Sequence, residues 1–182
     1  MPLDKSFLVI SAMGSDRPGI VDEFSRFVLE RNCGIEDSRM AVLGREFAFV
    51  ALLSGNTDGI QQVRSDIDML AGKSGLIVTE KMTTRPASST APDQIPFRLL
   101  GTGMDHPGVV QRFSRFLHER GINIGNLETH AYNAPVTGTP LFHFEMVIEV
   151  PSSLPVSAFQ DALEGIADEE NVDVEFAPVA LQ

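Results

Sequence analysis

Two short segments carry residue types suited to holding a small anion: Gly14-Ser-Asp-Arg-Pro-Gly-Ile20 and Gly103-Met-Asp-His-Pro-Gly-Val109. Each lies between a short apolar run and the apolar spacing of a helix, and so reads as a strand-to-helix turn. The first N–H groups of a helix have no acceptor within it, and its positive dipole end favours a carboxylate. Glycines at 14, 19, 103 and 108 would let a ligand approach the backbone closely. Asp16, Arg17, Pro18, Gly19 and Ile20 are therefore one candidate site, and Asp105, His106, Pro107, Gly108 and Val109 a second. The same residues also suffice simply to start a helix tightly after a strand, with Pro in the first helical turn and Asp just before it. Arg17 is a permanent cation where His106 can titrate near neutral pH, so the two sites need not be equivalent.

Other chemistry is thin. The four histidines, His106, His118, His130 and His143, form no His-x-x-x-His pair, and neither a metal nor a cofactor is expected. There is no Gly-x-x-x-x-Gly-Lys-Ser/Thr loop and no Gly-x-Ser-x-Gly elbow. The single cysteine, Cys33, reads as lying at a helix end without a base to activate it, and it cannot form an intramolecular disulfide, which fits a reducing compartment. Arg26 and Arg115 are expected to pair with Glu30 and Glu119, four residues on. The cluster Asp168, Glu169, Glu170, Asp173 and Glu175 reads as a solvated face that could meet a basic partner.

The elements that position the two turns repeat. Gly14–Arg31 recurs 89 residues later as Gly103–Arg120, with 11 of 18 positions identical. The register continues through Ile35/Ile124 and Asp37/Asn126 and then shifts by six, Phe49 meeting Phe144, because the second copy carries the longer loop Ala134–Pro140. Ser6–Ala12 and Pro96–Gly101 read as strands. Ile20, Val21, Phe24, Phe27 and Val28, like Val109, Val110, Phe113, Phe116 and Leu117, mark one face of a helix. Arg39–Leu43 and Phe47–Ser54 read as a hairpin turning at Gly44, matched by Asn126–Tyr132 and Leu141–Val150. Single second helices carry Ile60, Val63, Ile67, Leu70 and Val156, Phe159, Leu163, Ile166. Strands Leu76–Glu80 and Val172–Phe176 close the copies. The order βαββαβ, twice, predicts an α+β protein of two tandem ferredoxin-like units, each a four-stranded antiparallel sheet with its helices on one face. The Pro/Ser/Ala-rich segment around Arg85–Asp93 places the boundaries at 1–84, a linker at 85–94, and 95–182. The units are expected to pair sheets or pack helix layers to hide their edges.

A net charge of −11, uneven at −3 over residues 1–84 and −8 over 85–182, repels a polyphosphate backbone and argues against direct nucleic-acid binding. No apolar stretch is of membrane length, and the run Phe7–Ala12 is shorter than a signal-peptide core, so no membrane association and a cytoplasmic location are expected.

The turn Gly14–Val21, followed by Phe24, Phe27 and Asn32–Arg39, resembles the ACT domain, a small regulatory module of amino-acid metabolism, and the resemblance covers nearly the whole chain twice. Two tandem copies and the run Ile35–Gly44 are similar to the glycine cleavage system transcriptional repressor family. By that resemblance, ACT units bind an amino acid at an interface between units, using the strand-to-helix turn and the start of the second strand. This adds Asp37 in the first copy and Asn123, Ile124 and Asn126 in the second as ligand contacts. Asp37 could receive an ammonium group, and the amides can both donate and accept. The resemblance implies a non-enzymatic sensor of a small amino acid, glycine in the first instance. It would repress a glycine cleavage operon through a transcription activator protein, with homo-oligomerisation possible. The alternative is an ACT-type regulatory subunit controlling a metabolic enzyme. Formyltetrahydrofolate deformylase and phosphoserine phosphatase carry similar N-terminal units, but these 182 residues hold no catalytic domain of either kind.

Overall fold

The apolar run Phe7–Ile10, continued by Ala12 with Leu8, Ile10 and Ala12 on the buried face, builds a central strand of the first unit in the computed structural model, which describes residues 5–84 and 93–179. The described residues form two compact units, one on each side of residues 85–92. Of the expected linker, residues 85–92 lie outside the described residues. Asp93 accepts a hydrogen bond from the Ser152 N–H, and Gln94 opens a strand.

The first unit runs β1 (Ser6–Ser15), α1 (Ile20–Leu29), β2 (Cys33–Leu43), β3 (Glu46–Gly55), α2 (Thr57–Ser65), α3 (Ile67–Ser74) and β4 (Ile77–Thr83). Its antiparallel sheet has the order β2-β3-β1-β4. The second runs β5 (Gln94–Met104), α4 (Val109–His118), β6 (Asn123–Asn133), β7 (Pro140–Pro151), α5 (Val156–Glu170) and β8 (Val172–Pro178), in the order β6-β7-β5-β8. Both are ferredoxin-like.

Each core lies between one sheet face and the helices. Leu8, Ile10, Phe49, Ala51 and Leu53 meet Ile20, Phe24, Val28, Ile60 and Val63 in the first unit. Leu99, Phe144, Met146 and Ile148 meet Val109, Phe113, Leu117, Phe159 and Leu163 in the second. The repeat is preserved atom to atom at its centre: Phe24 packs on Phe49 at 4.5 Å between ring centroids, and Phe113 on Phe144 at 4.9 Å. Burying one such ring contributes about 2–3 kcal/mol.

Several elements differ from expectation. The second helix of the first unit is two helices, broken at Asp66, whose backbone (φ −101°, ψ 6°) ends α2 and opens α3 while its carboxylate is drawn to Arg31. The 3, 4, 3 apolar spacing crosses this break because one residue leaves the phase of the buried face intact. Strands β2 and β6 begin earlier than the hairpin pattern suggests, since a bulge interrupts each at the same place, between Ile35 and Asp37 and between Ile124 and Asn126. Cys33 is not at a helix end; it is the buried first residue of β2, and burial raises its thiol pKa. Arg26 pairs with Asp22 rather than Glu30, whereas Arg115 does pair with Glu119. Among the described residues no helix is long and apolar enough to cross a membrane, and no group of three or more His, Cys, Asp or Glu is placed to hold a metal ion.

Candidate functional site

The turns follow the ends of β1 and β5, where the backbone leaves the sheet by one last bond to the neighbouring hairpin. The Asp16 N–H donates to the Arg45 carbonyl at 3.0 Å, and the Asp105 N–H to the Pro140 carbonyl at 3.1 Å. The helices then start two residues later than the prolines suggest. Gly19 and Gly108 are the N-caps, with φ +94° and +107°, and Pro18 and Pro107 stand outside the helix. A left-handed cap explains the glycines at 19 and 108, because L side chains rarely adopt that conformation. A glycine cap also brings no side-chain oxygen to satisfy the first helical N–H groups, and neither helix has a side-chain cap.

Gly14 and Gly103 have a different reason from ligand approach. A Cβ on Gly14 would lie 2.9 Å from Leu76 Cδ2 and 3.0 Å from the Gly75 carbonyl. One on Gly103 would lie 2.7 Å from the Asn171 carbonyl. These glycines admit the chain where the last helix turns into the closing strand, so their surfaces are covered. Space is open at Gly108, with no atom within 4 Å of an added Cβ.

Arg17 and His106 occupy equivalent positions and do equivalent work. Arg17 Nη1 and Nη2 form a bidentate pair with Glu23 at 2.9 and 2.7 Å, and Nη2 donates to the carbonyl of Ser74, the last residue of α3, at 3.3 Å. These bonds hold the Glu23 carboxyl below its usual range. His106 Nε2 lies 3.1 Å from the carbonyl of Glu170, the last residue of α5, and Nδ1 lies 3.4 Å from the Pro107 carbonyl. Only an imidazolium can donate from both nitrogens, so the two carbonyls, Glu170 first and Pro107 second, raise the His106 pKa above 6.5, with the Glu170 and Asp105 charges adding and burial opposing. In both units a basic side chain thus closes the carbonyl end of the last helix onto the turn, as a permanent cation in Arg17 and as one when protonated in His106. Glu23, Ser74 and Glu170 are the partners sequence reasoning missed; their signal is the repeat itself, which sets Arg17 opposite His106 and Ser74 opposite Glu170.

The strand candidates lie elsewhere. Asp37 pairs in register with Leu52, which pairs with Val9, six residues before the end of β1. Asn126 pairs with Val147 and so with Arg98, six residues before Met104. At about 3.3 Å per residue, each is about 20 Å from the turn of its own unit. Asn123 and Ile124 are farther still, in register with Glu149 and Ile148. The side chains are engaged locally: Asp37 accepts from the Ser38 N–H and pairs with Arg39, Asn123 Nδ2 donates to Glu149, and Asn126 Nδ2 donates to Glu128. Each unit therefore brings together its own turn residues and leaves its strand residues apart from them.

The ACT domain family profile matches residues 6–81. Over 165 residues the chain is 30% identical to the glycine cleavage system transcriptional repressors of Escherichia coli (strain K12) and Shigella flexneri, spanning 91% of this chain and 86% of each of theirs. The chain belongs to the glycine cleavage system transcriptional repressor family. A solved structure of an unknown protein from Galdieria sulphuraria, 30% identical, matches 97% of this chain and 100% of its own with a TM-score of 0.83. A second, assigned to the glycine cleavage system transcriptional repressors and 25% identical, matches 98% and 99% with a TM-score of 0.74. As a member of this repressor family the chain is a regulatory ACT protein, and its two helix starts are unequal. The first turn of α1 carries Asp22 and Glu23, whereas that of α4 carries no acid.

Proposed function

We propose that the chain is a non-enzymatic, cytoplasmic regulator that senses a small amino acid, glycine in keeping with the family, and represses glycine cleavage operon transcription through an activator protein rather than by touching DNA. The observation that carries the sensing half is the start of α4. Gly108 leaves the N–H groups of the first turn without a side-chain cap, a Cβ added at Gly108 would meet no atom within 4 Å, and no carboxylate in that turn opposes an incoming one. Asp105, His106, Pro107, Gly108 and Val109 form this preferred site. Asp16, Arg17, Pro18, Gly19 and Ile20 form a weaker counterpart, because Asp22 and Glu23 stand in its first turn. Glycine has five heavy atoms and cannot bridge about 20 Å, so Asp37, Asn123, Ile124 and Asn126 do not reach a ligand bound at the turn of their own unit. Self-association is part of the proposal. Edge strand β2 leaves Ile35, Met40, Val42 and Leu43 between 42% and 74% exposed, an apolar edge of the kind proteins cover, with no strand on its outer side among the described residues.

The indirect route is supported by charge: at −11 overall the chain resists a phosphate backbone. Affinity capture from native extract is expected to retrieve a DNA-binding activator, and gel shifts with operon DNA are expected to stay blank until that activator is added. Capture of a metabolic enzyme instead would favour the regulatory-subunit alternative. Tight, salt-dependent DNA binding by the isolated protein would overturn the indirect route.

A further inference from the structure

The helical face of the second unit holds a groove of about 250 Å³ between α4 and α5, with Phe116, Ala162 and Ile166 as its apolar floor and Arg112, Arg115, Glu119 and Arg120 around it. Three of its four charged residues are arginines. Two are already paired, Arg115 with Glu119 and Arg112 with Glu169 and Glu170. Arg120 differs. Its guanidinium stacks on the Phe116 ring at 3.7 Å, and its Nη1 donates to the Phe116 carbonyl at 3.1 Å, but among the described residues it forms no ion pair.

The repeat shows what such an arginine holds. Arg31, the counterpart of Arg120, stacks on Phe27 at 3.8 Å and donates from Nη1 to the Phe27 carbonyl at 2.8 Å, the same two contacts. Its Nε and Nη2 then converge on one carboxylate oxygen of Asp66, at 3.0 and 2.7 Å. Ser74/Glu170, Gly75/Asn171 and Leu76/Val172 set the register of this part of the repeat, and in that register the counterpart of Asp66 is Ala162. The two residues that follow the last helices support it: Gly75 and Asn171 are both left-handed, at φ +73° and +53°. The second unit thus keeps the stacked guanidinium and its backbone anchor, lacks the carboxylate, and lines the groove with the methyl group that stands in its place.

The geometry points to a binding site for a small dissolved organic acid in this groove, its carboxylate received by Arg120 Nε–H and Nη2–H and its carbon skeleton laid on Phe116, Ala162 and Ile166. The site is separate from the turn at Gly108. Its size suits a molecule of a few carbons, and the fixed Arg120 fork favours a planar carboxylate over a spherical ion.

The test is an NMR titration of the full chain, following the arginine side-chain Nε–H signals, with sodium succinate and sodium acetate as probes and sodium chloride at equal ionic strength as control. Saturable shifts of the Arg120 signal with succinate and acetate, absent with chloride, are expected. Arg120→Gln should weaken succinate binding about tenfold or more. Ala162→Asp should abolish binding and raise the melting temperature, because it rebuilds in the second unit the pair that Arg31 and Asp66 make in the first. Equal response to chloride, or unchanged succinate binding in a folded Arg120→Gln protein, would overturn the site. So would a melting temperature lowered by Ala162→Asp, since the register argument would then fail. Shifts with an aspartate-containing pentapeptide but none with succinate would contradict the small-molecule assignment and make the groove a contact for a protein carboxylate.

Discussion

Removing the Asp66 carboxylate isolates the interaction that most distinguishes the two units. Arg31 is only 7% exposed, and its charge is balanced inside the first unit chiefly by Asp66, with Glu30 at a looser 3.8 Å. Deleting one partner of a fully buried pair costs about 3–5 kcal/mol, because the other charge is left without compensation. The Asp66 side chain is 33% exposed, so water can enter its place, and about 2 kcal/mol is the reasoned loss for Asp66→Ala. For a unit of this size that corresponds to a fall of about 8–16 °C in its melting transition. Arg31→Met, which removes the charge along with the pair and keeps an apolar stem over Phe27, should cost less than Asp66→Ala. Urea unfolding at neutral pH, followed by circular dichroism, measures both. A loss below about 0.5 kcal/mol for Asp66→Ala, or a larger one for Arg31→Met, would refute the reasoning.

Other perturbations address the turns and the helix ends. His106 gains its carbonyl partners only on folding, so its folded pKa exceeds the unfolded value near 6.5. The stability it adds is fully present below that value and lost as pH rises through the folded pKa. NMR titration of the His106 ring should place its midpoint above 6.5, and a midpoint at or below 6.5 would contradict the geometry. Gly108→Ala should cost about 1–2 kcal/mol from its positive φ alone, as nothing is near enough to clash, measurable by thermal unfolding. Gly103→Ala should cost about 1–3 kcal/mol for the opposite reason, its methyl group meeting the Asn171 carbonyl. Sedimentation should show self-association, and charged substitutions at Met40 and Val42 on the exposed edge strand should reduce it.

The duplicated fold was legible because Phe24/Phe113 and Phe49/Phe144 recur with their helical and strand spacing, and periodicity reports burial directly. Helix starts were less so. Asp-Arg-Pro-Gly satisfies the rules for a proline in the first turn, and only the left-handed φ of Gly19 and Gly108 moves the start to Ile20 and Val109. Asp66 hid its role because its pair with Arg31 spans 35 residues and no local pattern records it. The turn residues were recognisable as a type. Their distance from Asp37 and Asn126 was not, since it depends on strand register, which a bulge shifts.

Calorimetry with glycine, serine and alanine tests the sensing claim most directly. Five heavy atoms at a ceiling of about −1.5 kcal/mol each limit glycine to about −7.5 kcal/mol, a Kd no tighter than a few micromolar. The account predicts heat with at least one of the three, weakened by Gly108→Ala in a protein that remains folded and retained in Arg120→Gln. No heat from any of them up to millimolar concentration, in protein shown to be folded, would contradict it.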